Sequence, residues 1–538
     1  MKPEAPGQPG LANMILLILS RNWLRLLVWT AALAGMIALV YESQRAAFPT
    51  QADREAYAMT ADTPSVAALT GTPYAADTLG GILILKIWMT LAVSLAFATI
   101  FLVTRNGRAD EEAGRTELLR SNVLGRHAYS LANYVVAGAL NLVVGAAVAG
   151  TAAAVGLPAA GSLVLGASLA GVGLFFLGVA AVCGQLASTS RGANGLAAAV
   201  LGLAFVLRAA GDLEGTDLAP GWTSWLSPLG WGQQMRAFGA DRWWPLLPLT
   251  VGAALLCALA VRWESRRDLG SGMLPERPGK PRAGPFTLTG FGLAVRLQRG
   301  SILGWCAAIV VMALLYGSVA SAMADLLAGN ALFTAVLGPD TSAETNSVLG
   351  WLVMLNAVAA SAFAVESTLQ MRTEELSGRA AAQLAGNVSR LRWAAGWLLL
   401  PVIGSAVLLM TGGAAMGAAY GAPQDDPSQA WVLLGAALAY WPGVLVTAGV
   451  AVLLIGVAPR TAASLAWTFF SVLAIVSVFG PLFSLPAQIT GHTPLTATPR
   501  LPADSFTGLP LLVLTAVALA AWTAGLARFA GRDLVQER

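Results

Sequence analysis

Charge is what this chain has least of. Only 11% of its 538 residues are Asp, Glu, Lys or Arg, 56% are apolar, and mean hydropathy is +0.67. A water-facing domain carries about 25% charged residues, so a soluble enzyme or soluble binding module is excluded. Three cysteines, Cys183, Cys257 and Cys306, lie in or beside apolar runs without metal-ligand spacing, which excludes a disulfide framework and a zinc site. Two histidines, His127 and His492, leave no metal cluster to build, and no nucleophile elbow occurs, so catalysis is not expected and no metal site is assigned. The Gly-x4-Gly-Lys-Ser/Thr phosphate loop is also missing. Lysine is scarce as well: 29 of the 32 basic residues are arginine.

What is present is long uncharged runs, among them Leu131–Val155, Leu163–Ala187, Val432–Ala458 and Leu509–Ala527. Each reaches the roughly 20 residues that cross a hydrocarbon core of about 30 Å, and none shows the polar stripe of a soluble helix. Twelve spans fit, at 24–41, 80–104, 130–155, 161–187, 193–211, 245–263, 302–321, 347–371, 394–419, 431–457, 462–480 and 509–529. The expected fold is therefore all-α and polytopic. Cationic loops resist translocation. With the N-terminus inside, 25 Lys/Arg fall on the inner side and five on the outer, while Lys86 and Arg208 sit within spans near their outer ends. That asymmetry predicts a multi-pass protein of the bacterial inner membrane with both termini cytoplasmic. It also accounts for the pI near 9.1 without a nucleic-acid partner. Trp222, Trp225, Trp231, Trp243 and Trp244 cluster before the sixth span, where indole rings favour the headgroup level.

The chain reads as two copies of one six-span unit. The loop after the second span runs Arg108-Ala-Asp-Glu-Glu-Ala-Gly-Arg115 and ends Gly125-Arg126-His-Ala-Tyr129. The loop after the eighth runs Arg372-Thr-Glu-Glu-Leu-Ser-Gly378-Arg379 and ends Ser389-Arg390-Leu-Arg-Trp393, at an offset of 264. Both halves close on Arg-Asp-Leu, at 267–269 and 532–534. Six spans per copy makes the repeat parallel, with an axis along the membrane normal and a central cavity where cargo can meet alternate sides. The halves are 1–269 and 286–538, joined by a Gly/Pro/Arg-rich cytoplasmic linker at 270–285.

These two inner loops are too long for simple turns and are helix-friendly. Glu111 precedes Arg115 by four residues and Glu375 precedes Arg379 by four, a spacing that puts each pair on one helical face, worth about 0.2–0.5 kcal/mol. Leu118 and Leu119, or Ala382 and Leu384, offer an apolar side. Charge patterning alone fits a solvated helix that merely ties spans together. Recurrence in both halves, while the outer loops diverge, points to a working element.

Long second inner loops of this pattern resemble those of type-2 ABC exporter permeases, most of all the fused, double-length polyketide-antibiotic (tetronasin-type) exporters. The likeness covers both inner loops, both Arg-Asp-Leu ends and Ser227-Pro-Leu-Gly-Trp231; the second copy departs there, with Ser484-Leu-Pro-Ala-Gln. The resemblance implies that Arg108–Arg126 and Arg372–Arg392 are coupling helices, with Glu111, Glu112, Arg115, Glu117, Arg126, Glu374, Glu375, Arg379 and Arg390 facing the coupling task. It implies an elbow helix at Leu11–Asn22 and motion passed to the halves as rigid-body rocking. It further implies a separate cytoplasmic ABC ATPase in two copies, which would hold ATP and Mg, since no segment here is long enough to fold a nucleotide-binding domain. This chain itself needs no cofactor.

The rival reading is an ion-coupled secondary carrier of the major-facilitator type, also twelve spans in parallel halves. Such carriers need ionisable groups at mid-membrane, and the spans here are nearly bare. Glu366 is the clearest acid in a span, but Leu102 stands at its place in the first repeat. A path with few charges fits a lipophilic, drug-like cargo. Phe97, Phe101, Asn133, Phe205, Asn356, Phe363, Glu366 and Phe469 are candidate path residues.

Overall fold

A computed structural model describes residues 10–61, 67, 70–120, 125–215, 219–274, 282, 284–327, 344–479 and 491–534. Helices dominate it, and no β-strand occurs among the described residues. The chain is an all-α polytopic membrane protein. It divides into two compact units, Met1–Pro278 and Gly279–Arg538.

In the first unit the spans are α1 (Leu11–Ala47), α3 (Leu79–Arg105), α6 (Ala128–Ala154), α7 (Ala159–Leu186), α8 (Ser190–Glu214) and α10 (Leu246–Glu264). Four short helices accompany them: α2 (Gln51–Ala61), α4 (Arg108–Glu112) and α5 (Arg115–Arg120) in the loop after α3, and α9 (Pro228–Gln233) before α10. The span windows of α3 and α7 are 72% and 78% buried, whereas those of α1 and α10 are 17% buried. Two helices thus form the core, and the others wrap them with apolar side chains turned outward. Leu24, Leu27, Val28 and Leu39 of α1 are all more than half exposed, an arrangement that hydrocarbon tolerates and water does not.

The second unit repeats that layout. Its spans are α11 (Gly290–Leu327), α12 (Glu344–Leu376), α14 (Arg390–Gly421), α15 (Gln429–Ala439) with α16 (Trp441–Val457), α17 (Ala462–Phe479) and α18 (Gly508–Gly531); the short α13 (Arg379–Leu384) follows α12. Again the second and fourth spans are the buried ones, 78% and 61%, against 22% and 17% for the first and last. The fourth span is one rod in the first unit and two pieces in the second. Pro442 explains the break, because it lacks an N–H and its ring clashes with the preceding turn.

Among the described residues eleven helices are long and apolar enough to cross a membrane, one fewer than the twelve expected. The twelfth, α17, sits where expected, but its apolar stretch Ala462–Val478 is shorter, and 480–490 lies outside the described residues. Ser484-Leu-Pro-Ala-Gln and part of the linker lie outside them too. The expected elbow is corrected: Leu11–Asn22 is continuous with the first span in one 37-residue helix. Met14 and Ile18 pack against Tyr129, Ala132 and Val136 of α6, which fixes that extension to the bundle.

Helix contacts are close where glycine permits. A Cβ on Gly417 of α14 would lie 2.2 Å from the Gln429 carbonyl oxygen, and one on Gly413 would lie 2.5 Å from that of Leu433. The Gly413-x3-Gly417 run is a close-packing face. Gly417→Val is expected to destabilise the detergent-purified chain by at least the 1–3 kcal/mol typical of overpacking. Gly435→Val, where nothing lies within 4 Å, should be near neutral, and thermal unfolding of the two variants checks the difference.

Candidate functional site

The loop after the second span of each unit is held by the same four contacts. Its first arginine clasps backbone carbonyls of the fourth-to-fifth-span connection. Arg108 Nε–H donates to the Ser188 carbonyl at 2.8 Å, and Arg372 Nη2–H donates to that of Arg460 at 2.8 Å and Nε–H to that of Pro459. Arg108 Nη2–H also reaches the Gly270 carbonyl at 2.7 Å.

The second contact joins the loop to the Arg-Asp-Leu motif. Arg267 Nη2 lies 2.7 Å from Glu111 Oε1, and Arg532 Nη2 lies 2.8 Å from Glu375 Oε2. These pairs are desolvated: the side chains of Glu111, Arg267 and Glu375 are 9%, 5% and 0% exposed. Arg108 adds a second guanidinium to Glu111. Two repeated motifs about 157 residues apart in the chain therefore meet as one ion pair in each unit.

The third contact is internal to the loop. Arg115 lies 2.6 Å from Asp110, and Arg379 lies 2.7 Å from Glu374. The hydrogen bond to Glu374 raises the Arg379 pKa above its ordinary value. The expected Glu111–Arg115 and Glu375–Arg379 pairs do not form. Gly114 and Gly378 take positive φ, +69° and +76°, so the helix carrying the carboxylates ends before the arginine. A single left-handed glycine separates what the spacing predicted to share a face. In the first unit Asp110 also accepts from Arg21 Nη1 at 3.0 Å and from the Tyr129 hydroxyl, which ties α1 and α6 to the same carboxylate.

The fourth contact closes the loop. Arg126 Nη2–H donates to the Ser265 carbonyl at 2.8 Å, and Arg390 Nη1–H donates to the Ala530 carbonyl at 3.3 Å and to that of Arg532. Arginines thereby satisfy free carbonyls at the end of the last helix in both units. Glu112, by contrast, accepts from the Ser190 N–H at 3.0 Å at the start of α8.

What remains exposed is a narrow outward face. Glu112, Arg115, Glu117, Leu118 and Arg126 are exposed in the first unit, and Arg379 and Ala382 in the second. Leu118 is 73% exposed, while Leu119 turns inward against α1 and α6. The site residues thus sort into tethers (Glu111, Arg126, Glu374, Glu375, Arg390) and an open surface. Arg108, Asp110, Arg372, Arg267 and Arg532 were not singled out from sequence as site residues. The 264-residue offset and the matching Arg-Asp-Leu ends already contained that signal.

Within each unit the path candidates have separate surroundings. Phe97 and Phe101 stack with centroids 5.9 Å apart on the partly exposed side of α3. Asn133 is buried and donates to the Val103 carbonyl at 2.8 Å, satisfying the last turn of α3. Phe205 lies 5.0 Å from the guanidinium of Arg208, which forms a buried pair with Asp212 at 3.1 Å. Asn356 and Phe363 are buried, Phe363 against Gly404, and Phe469 is half-buried against the second unit's core. Glu366 is exposed and bonded to Ser301 and Trp305. The Lys86 ammonium lies 5.1 Å from the Tyr57 ring.

A curated relative, the multidrug efflux system permease protein Rv1217c of Mycobacterium tuberculosis (strain ATCC 25618 / H37Rv), is 37% identical over 539 residues. The match covers 98% of this chain and 96% of the relative. The chain belongs to this efflux-permease family. Residues 288–530 also match the family described as "Multidrug efflux system permease Rv1217c, C-terminal domain". The permease is accordingly a transmembrane transport protein, and the full-length match does not favour the major-facilitator alternative.

In the permease, Arg532→Ala removes the guanidinium that meets both oxygens of the buried Glu375 carboxylate. A loss of about 3–5 kcal/mol is expected. Arg379→Ala removes a guanidinium whose side chain is 57% exposed, and should cost under about 1 kcal/mol. Thermal melts of the two purified variants test this order; equal melting temperatures would show that the Glu375 bond does not hold the loop.

Proposed function

We propose that this permease is the membrane subunit of an ATP-driven exporter of the type-2 ABC class, carrying lipophilic, drug-like compounds across the bacterial inner membrane. A separate cytoplasmic ABC ATPase, one copy for each unit, holds ATP and Mg and docks on the open faces of the two loops. Both termini are cytoplasmic in this arrangement. The observation that supports the reading best is the duplicated tether. Each unit pins its loop through a desolvated carboxylate to the end of its own last helix, and leaves the other side of the loop bare.

Mechanically, a loop so fixed cannot yield independently. The Glu111–Arg267 and Glu375–Arg532 pairs transmit a push on the loop to the last helix of the unit. The Arg108 and Arg372 clasps transmit it to the connection between the fourth and fifth spans. A surface helix joined only by flexible turns would absorb the same push. Buried pairs of this kind specify geometry more than they add stability. The relative's name speaks of multidrug efflux, which agrees with a path of few charges and with the tetronasin-type resemblance of the loops.

The docking face includes Arg115, Glu117 and Leu118 of the first unit and Arg379 and Ala382 of the second. Leu118→Asp is expected to lower recovery of the ATPase with the tagged permease at least tenfold, with little change in melting temperature, because Leu118 is 73% exposed. Isolation from the native host in mild detergent provides the measurement. A permease recovered alone, with efflux abolished by a protonophore at constant ATP, would overturn the ATP-driven reading.

A further inference from the structure

Glu366 is an acidic side chain within a span that is oriented by two neutral donors. It lies on α12, six residues or about 9 Å of helix before Arg372. Its side chain is exposed on a helix whose span is otherwise largely buried. The buried carboxylates of the two loops, Asp110, Glu111, Glu374 and Glu375, are met by guanidinium groups. Glu366 is met by two neutral donors from α11: Ser301 Oγ–H donates to Oε1 at 2.9 Å, and Trp305 Nε1–H donates to Oε2 at 2.8 Å. No ion pair to it occurs among the described residues.

A carboxylate in a span is costly, and it persists where it faces a partner or a polar path. Two hydrogen bonds from one helix fix the plane of the group and leave its outer lone pairs open. Trp305 belongs at the same time to an apolar cluster with Ile302, Ile309, Phe363 and Leu408. The carboxylate therefore stands at the rim of an aromatic, apolar wall. An onium group is drawn both to a carboxylate and to an indole face within about 6 Å, and its apolar substituents gain by covering such a wall. The matching position in the first repeat is Leu102, so this acid is a feature of one half and no part of the duplicated tether.

We propose that Glu366, Trp305 and Ser301 form a subsite for lipophilic cations, meaning protonated amines or quaternary onium ions with apolar substituents. The subsite rests on the efflux-permease reading for its role, but binding to it requires no ATPase. That separates the two claims.

The test is equilibrium binding to the full-length chain in lipid nanodiscs, with tetraphenylphosphonium as the cation and Nile red as a neutral lipophile of similar bulk. The wild type should bind tetraphenylphosphonium saturably. Glu366→Gln, which keeps the shape and a hydrogen-bond acceptor, should weaken the cation at least tenfold and change Nile red less than twofold. Glu366→Asp should recover most of the cation affinity, and Trp305→Phe should weaken the cation several-fold. Three results would overturn the proposal: no saturable cation binding by the wild type, equal affinity in Glu366→Gln, or parallel loss of both ligands. The last would mean that Glu366 only ties α11 to α12. Absence of ATP-driven transport with intact, charge-dependent binding would instead strike at the ATP-driven reading and leave the subsite standing.

Discussion

The ion pair between the loop after the second span and the arginine after the sixth is the constraint on which each unit depends. Glu111 and Glu375 are removed from water, and so is Arg267. In that setting, loss of either partner removes a charge-assisted bond that water cannot readily replace. The pair therefore fixes where the loop sits. The other contacts follow from it: the arginine clasp at 108 or 372, the internal pair across the glycine, and the arginine at 126 or 390 on the closing carbonyls. All four recur in both units, although the chain segments between them differ in sequence.

Placement of the spans was legible from hydropathy, because uncharged runs of 20 or more residues have few alternatives. Each expected span finds its helix within a few residues at most termini. What hydropathy does not encode is continuity. The extension of α1 from Leu11 reads as a separate amphipathic stretch, since Ser20, Arg21, Asn22 and Arg25 interrupt the apolar run. In the structure two of those polar residues are absorbed by partners beyond α1: Arg21 by Asp110, and Asn22 by Asn106 at 3.2 Å. The break in the fourth span of the second unit was equally readable in Pro442, a signal that apolar averaging hides.

The site was half legible. The repeat offset identified the residues that matter, but helical spacing assigned their partners wrongly. Spacing of four predicts a shared face only along an unbroken helix, and Gly114 and Gly378 break it. Partners drawn from the far end of the unit, Arg267 and Arg532, lie beyond the reach of any local rule. Their coincidence as a second repeated motif was the usable clue. The path residues were less legible still. Aromatic and amide side chains in spans serve packing and helix ends, as Phe363 and Asn133 do, more often than they line a route.

The outward faces of the two loops are built on one plan but not from one side chain. Leu118 stands where the second copy has Ala382. In an assembly of two identical chains, every such position is present twice, and a substitution changes both copies together. A fused gene removes that restriction. Each copy can drift or be selected alone, so one loop can present a greasy ridge while its twin presents a shallow methyl, with the tethers beneath both unaltered.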